Sequence, residues 1–254
     1  MRGEREDSCL KSVQNIIKEG DASLYLGLKI DEVNMINDLL NNAKPNKEQS
    51  KFPDFIISNG FIEHFQITSS KTTSKGAEHI KKINNFKDEI VEERKKFEEQ
   101  VNNINLNDSI HFTMSFPEHK HEFLEKSFKN NWNNHIESYD KYDGEKEKGI
   151  FMIEYSDNAL EMLENVYSDW INGMSCGDLR KGEHLNNYRL SRDKEILNYI
   201  YLYKEKIQYV IFVYGKKCEV IKTESIPYIL KLMPWDYVIA PHMGAMVVAS
   251  TYRI

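Results

Sequence analysis

One Asn-Gly step constrains this chain more than any other feature. In the stretch FPDFIISNGFIEHFQITSSKTTSKG, residues 52–76, Asn59-Gly60 divides an apolar run at 54–58 from another at 61–67. Asn-Gly between apolar runs is a strong hairpin signal, because both turn residues must take φ > 0. The spacing therefore predicts two antiparallel strands with Ser58 facing Phe61, Ile56 facing Glu63 and Asp54 facing Phe65. Side chains alternate along a strand, so Asp54, Ile56, Phe61, Glu63 and Phe65 share one face. Asp54 and Glu63 become diagonal neighbours, roughly 5–8 Å apart at Cβ.

Two carboxylates that close among large apolar side chains repel each other and lose hydration. One must take up a proton, or a cation must sit between them. Oxygen-only ligation suits Mg²⁺, which takes few protein carboxylates and keeps several waters. A solvated Asp54 beside a Glu63 matched to a lysine satisfies the same residues.

Helices are expected over 8–19 and from Asp31 to about Ala43, the second with Glu32 in its first turn and Asp38 further along. A long charged helix is expected from Ala77 to about Asn102, followed by a strand at 109–116, SIHFTMSF. This strand is expected to join the sheet of the hairpin, because a crossover helix implies parallel pairing. A helix follows at 118–139, where His119 and His121 read as surface histidines for want of a third ligand nearby.

Pro53-Asp54, the hairpin and Glu63 on its second strand resemble the PD-(D/E)XK nuclease superfamily, the restriction-endonuclease-like fold. The likeness covers roughly residues 30–116. It implies a mixed central β-sheet flanked by helices, a minimal α-β-β-α-β core, with residues 117–254 as an α/β extension on the same or an adjoining sheet. It also implies that Asp54 and Glu63 hold Mg²⁺ or Mn²⁺, with Glu32 or Asp38 of the preceding helix as the candidate third acid and Glu32 the one taken as a ligand. The family places a Lys two residues after the acid. Here that position is Phe65, and Lys71 and Lys75 are the candidates to replace it, with Lys81 and Lys82 further on. The polar run 68–76 offers hydroxyls and lysines that could hold phosphate oxygens or, equally, form a solvated loop with helix-capping residues. The implied activity is metal-dependent hydrolysis of a phosphodiester, with DNA the expected nucleic acid.

The 254 residues suffice for one large α/β domain. With only 6 Pro and 12 Gly, a long disordered linker is not expected. Apolar runs fall well short of the ~18 residues of a membrane span, and the charged N-terminus MRGEREDSCLK lacks a secretory apolar segment. Cys9, Cys176 and Cys218 show no CxxC spacing, which points away from a disulfide framework and toward a reducing cytoplasm. A net charge of −6 argues against a protein that coats nucleic acid broadly, though not against a local cleft. P-loop, HExxH, GxSxG and EF-hand patterns are absent.

Toward the C-terminus, the expected order is a strand at 150–155, a helix at 158–170, a loop at 172–187 and a helix at 191–206. A hairpin of 208–214 with 218–223, a short helix and two final strands follow. Three readings stay open: a nuclease, a catalytically inactive protein of the same fold that binds nucleic acid or a partner, and an unrelated α/β protein. Assembly as a homodimer stays open as well.

Overall fold

A computed structural model of the chain describes residues 3–20, 23–48, 51–73, 76–100, 110–114, 117–165, 170–171, 174–175, 182–233, 235–241 and 246–250. The central sheet contains β1 (Ser23–Leu26), β2 (Lys44–Pro45), β3 (Phe55–Ile57), β4 (Gly60–Ile67), β5 (Lys148–Tyr155), β6 (Tyr209–Tyr214) and β7 (Lys217–Lys222). Their spatial order is β1-β7-β6-β5-β4-β3-β2. The sheet is mixed. β4, β5 and β6 run parallel, β3 and β7 are antiparallel to their inner neighbours, and β1 is parallel to β7.

Helices α1 (Glu4–Glu19), α2 (Ile30–Asn41), α3 (Glu78–Gln100), α4 (His121–Lys141), α5 (Lys194–Tyr201) and α6 (Ile226–Lys231) complete the order. Strand alternation divides the core in two. Phe61, Phe65, Phe151, Ile153, Val210 and Phe212 pack with α4, α5 and α6. Ile62, Ile150, Met152, Ile211 and Val213 pack with α1 and α2 on the other face. Both faces are covered, so the inner parallel strands need apolar side chains at nearly every position. Ile150 to Ile153 are fully buried for this reason.

The same demand explains a correction. Residues 110–114 do not join this sheet. They pair antiparallel with Met246–Ser250 in a separate ribbon. SIHFTMSF alternates apolar with polar residues, the pattern of a strand covered on one side, and suits an inner parallel position less well than KGIFMIEY. β5 takes the place parallel to β4, and α4 supplies the crossover helix that packs on β4. Strands from both sides of residue 116 thus share one sheet.

A second correction concerns 158–170, read as a helix. Leu160–Asn165 is a strand, paired with Asp236–Pro241 and His184–Leu185. Leu160 and Met162 are buried while Leu163 is exposed, so the period of two outweighs the helical spacing of Leu160 and Leu163. The helix read at 191–206 is shortened to α5, which Asp193 caps by accepting from the N–H groups of Glu195 and Ile196. The β6–β7 hairpin forms as expected, with Tyr214 opposite Lys217. Among the described residues, no helix is long and apolar enough to cross a membrane.

The β3–β4 hairpin forms, but its turn is Ser58-Asn59, and Gly60 pairs with Ile57. Asn59 takes the positive φ, 59°. Gly60 is required for a different reason: a Cβ there would lie 2.1 Å from the carbonyl oxygen of Lys148 in β5. Gly60→Ala is expected to force β4 away from β5 and cost about 2–3 kcal/mol, read as a shift in the denaturation midpoint. An unchanged midpoint would show that β4 and β5 can separate freely at that end.

Candidate functional site

The change of turn moves the register by two residues and therefore keeps every side chain on its expected face. Phe55 faces Ile62 and Ile56 faces Phe61. One rung further, Asp54 stands opposite Glu63, closer than the diagonal placement expected from Asn59-Gly60. Side chains complete that rung. The Asp54 N–H donates to Glu63 Oε2 at 2.9 Å, and the His64 N–H donates to Asp54 Oδ2 at 2.8 Å. Each acid is thus held by the backbone of the other strand. Asn46 anchors the outer side, with its N–H on Asp54 O and its amide on Pro53 O, both at 2.8 Å.

Glu63 is buried, with 5% of its surface exposed, and Asp54 is half-buried. The second Glu63 oxygen, Oε1, lies 2.6 Å from Nδ1 of His135 on α4. That imidazole stacks on Phe65 with ring centres 4.8 Å apart. Phe65 also meets Phe128, Trp132 and Phe151 edge-on, so the position of the family's Lys is a core position under α4. Burial and the neighbouring Glu63 charge push the Asp54 carboxyl up to about 7, against the pull of the His64 N–H. Two acids meet here with too little positive charge to keep both ionised at low cost.

No protein-family model matches this chain, and no curated protein or solved structure resembles it at a significant level. What the site can do rests on its own chemistry. Its carboxylates come from the two sides of the hairpin, and the imidazole of His135 on α4 holds one Glu63 oxygen.

The remaining candidates lie elsewhere. Glu32, at the start of α2, is 2.7 Å from Lys222 Nζ and also accepts from the Lys29 N–H. The Lys222 hydrogen bond, helped by Lys29, holds its carboxyl below the usual range. It is engaged with β7 and is not brought to Asp54 and Glu63. Lys71 is exposed, four residues beyond the far end of β4. Lys75 lies outside the described residues.

The polar run after β4 turns inward. Thr68, Ser69 and Ser70 are buried. Asp157 Oδ2 accepts from Thr68 Oγ1 at 2.5 Å and from the Ser69 N–H at 2.8 Å. Ser69 Oγ is 2.8 Å from both His119 Nδ1 and Tyr155 OH. These hydroxyls satisfy a buried network that joins β4 to the loop after β5, in place of the expected phosphate contacts. The surface reading of two histidines is corrected as well. His119 is buried in this network, and His121 sits 2.6 Å from the buried Asp193. A sequence hint of such burial was available for His135, the residue that sequence reasoning missed. It falls three after Trp132 and seven after Phe128, on the buried stripe of α4.

Proposed function

We propose that this chain is a Mg²⁺- or Mn²⁺-dependent phosphodiesterase acting on nucleic acid, with DNA the expected substrate. The observation that carries the reading is the Asp54–Glu63 rung: Glu63 accepts from the Asp54 N–H and Asp54 from the His64 N–H, with Asp54 raised to about 7 by burial and by the Glu63 charge. The mixed sheet supports the reading in part: α2, the β3–β4 hairpin and β5 parallel to β4 are compatible with an α-β-β-α-β arrangement, with 148–155 in the place the resemblance gave to 109–116, and with α3 and strand 110–114 intervening before α4.

In this reading Asp54 and Glu63 are the metal ligands. A bound ion would supply Lewis acidity toward the phosphate and a water of lowered pKa. The protein's own contribution is positioning. The Asp54 N–H and His135 fix both oxygens of Glu63, and the His64 N–H fixes Asp54. Phe65 and Trp132 hold α4 against β4 and keep water from the inner side of Glu63. His135 is a positioning residue for Glu63.

A second reading, a binding protein without catalysis, is favoured by Phe65. The ring occupies the Lys position as part of the core, and Lys71 is carried away from the acids. Metal titration separates the readings. In the nuclease reading, Mg²⁺ at about ten times its Kd stabilises the folded chain by about 1.4 kcal/mol, a rise in Tm of about 3–5 °C for a chain of this size. Crystals soaked in Mn²⁺ should carry anomalous density at Asp54 and Glu63. A Tm indifferent to both ions, with no density, removes the nuclease reading and leaves the binding protein and the unrelated α/β protein.

A further inference from the structure

We propose that Cys9, His64 and Glu154 form a binding site for one Zn²⁺-class ion, on the face of the sheet opposite Asp54 and Glu63. The three come from separate elements: Cys9 from α1, His64 from β4 and Glu154 from β5. One ligand atom from each, a sulfur, an imidazole nitrogen and a carboxylate oxygen, lies within 4.8 Å of the other two. The three side chains would draw together around an ion, since zinc takes such ligands at about 2.0–2.3 Å.

The second observation is His64 itself. Its Nε2 is buried and makes no hydrogen bond, although Glu154 Oε2 is 3.3 Å away. A buried imidazole nitrogen that meets a carboxylate only outside hydrogen-bond geometry is poorly satisfied, and a metal would satisfy it. Glu154 is arranged to match. Gln66 Nε2 donates to its Oε2, and Arg5 Nε approaches the same oxygen at 3.5 Å, which holds the carboxylate beside His64. Such outer contacts orient ligands in metal sites.

Ligand chemistry selects the ion. Thiolate, imidazole and carboxylate together suit Zn²⁺ and disfavour Mg²⁺, which prefers oxygen alone. A thiolate and a carboxylate neutralise the two positive charges, and the Cys9 thiol proton leaves to solvent on binding. Cys9 and Glu154 also line a cavity of about 290 Å³ with Ser8, Ser12 and Asn158. A fourth coordination position on the Cys9–Glu154 side would open to this cavity. Three protein ligands with an open fourth position are the arrangement of a reactive zinc site rather than a closed structural one.

Two metal positions would then lie back to back. The backbone N–H of His64 holds Asp54 on one face, and its ring serves the Zn²⁺-class site on the other.

Cobalt substitution tests this. With Co²⁺ as probe, the full-length protein should show a thiolate-to-cobalt charge-transfer band with tetrahedral d–d bands, the intensity corresponding to one thiolate-bound Co²⁺ per chain. A Cys176→Ser/Cys218→Ser double variant, which keeps Cys9 as its one thiol, should retain the band. Adding Cys9→Ser should reduce it more than tenfold, and His64→Gln should weaken Co²⁺ binding by a similar factor. Asp54→Asn should leave the band unchanged, so failure of the phosphodiesterase reading does not remove this one. No band in the wild-type protein, or a band lost with Cys218 and kept without Cys9, overturns the proposal. Because the wild type and the Cys9-retaining variant carry the decisive readings, a poorly folded Cys9→Ser protein leaves the test intact.

Discussion

Asp54→Asn is expected to lower Mg²⁺-dependent cleavage of nucleic acid by at least about a thousandfold, roughly 4 kcal/mol in the barrier. Asn keeps the side-chain shape and still accepts the His64 N–H, but it removes a charge that would hold the metal. The same change should not weaken the metal-free protein. Asp54 has its carboxyl raised to about 7 by burial and by Glu63, whereas an unfolded Asp titrates near 4. Between those values the folded chain keeps a proton that the unfolded chain has lost, so stability falls as pH rises through that window. Asn does not titrate. The variant should match the wild type near pH 4 and exceed it at pH 8 by on the order of 2 kcal/mol. Denaturation at the two pH values, with cleavage assays on single- and double-stranded DNA and RNA, checks both halves. Equal cleavage by variant and wild type would remove Asp54 from the mechanism. A variant less stable at pH 8 would mean that the rung is already neutralised without metal.

The second large effect is in the core. Trp132→Ala is expected to cost about 3–5 kcal/mol. Trp132 is fully buried and touches Phe65, Phe128, Phe151, Tyr199 and Tyr203. Its removal opens a cavity between β4, β5 and the α4–α5 side of the molecule. His135, one turn further along α4, then loses the packing that aims it at Glu63. Activity should fall with stability. Trp132→Phe should cost much less, because the ring is largely retained and the indole N–H makes no hydrogen bond to protein. Chemical denaturation of the two variants gives the comparison. A loss near 1 kcal/mol for Trp132→Ala would mean that α4 packs on the sheet more loosely than these contacts imply.

The hairpin and its two acids were legible because their signals are local. Turn chemistry and strand alternation need only neighbouring residues, and alternation protects the face assignment even when the turn slips by one position. That slip changed Asp54 and Glu63 from diagonal to opposite, with Gly60 in the ladder rather than in the turn. Its lack of a side chain reads as a turn signal, yet the constraint on it is the approach of Lys148, 88 residues away. The β6–β7 hairpin was legible in the same way, since Gly215-Lys216 separates two runs that pair directly.

Which strand lies beside β4 was not a local matter. Residues 110–114 and 148–155 both read as strands that follow a helix, and only burial on both faces of the sheet decides between them. Leu160–Asn165 shows the same limit, since its residues satisfy a helical and a strand period until Asp236–Pro241 arrives to pair with it. The site divides along this line. Asp54, Glu63 and their shared face follow from the sequence by itself, because the covalent chain sets spacing and alternation sets direction. His135 against Glu63, the inward turn of Thr68 to Ser70, Glu32 drawn to Lys222, and Cys9 and Glu154 beside His64 were decided by tertiary structure alone. Each joins elements far apart in the chain, and their meeting depends on how helices and strands pack rather than on any neighbouring residue.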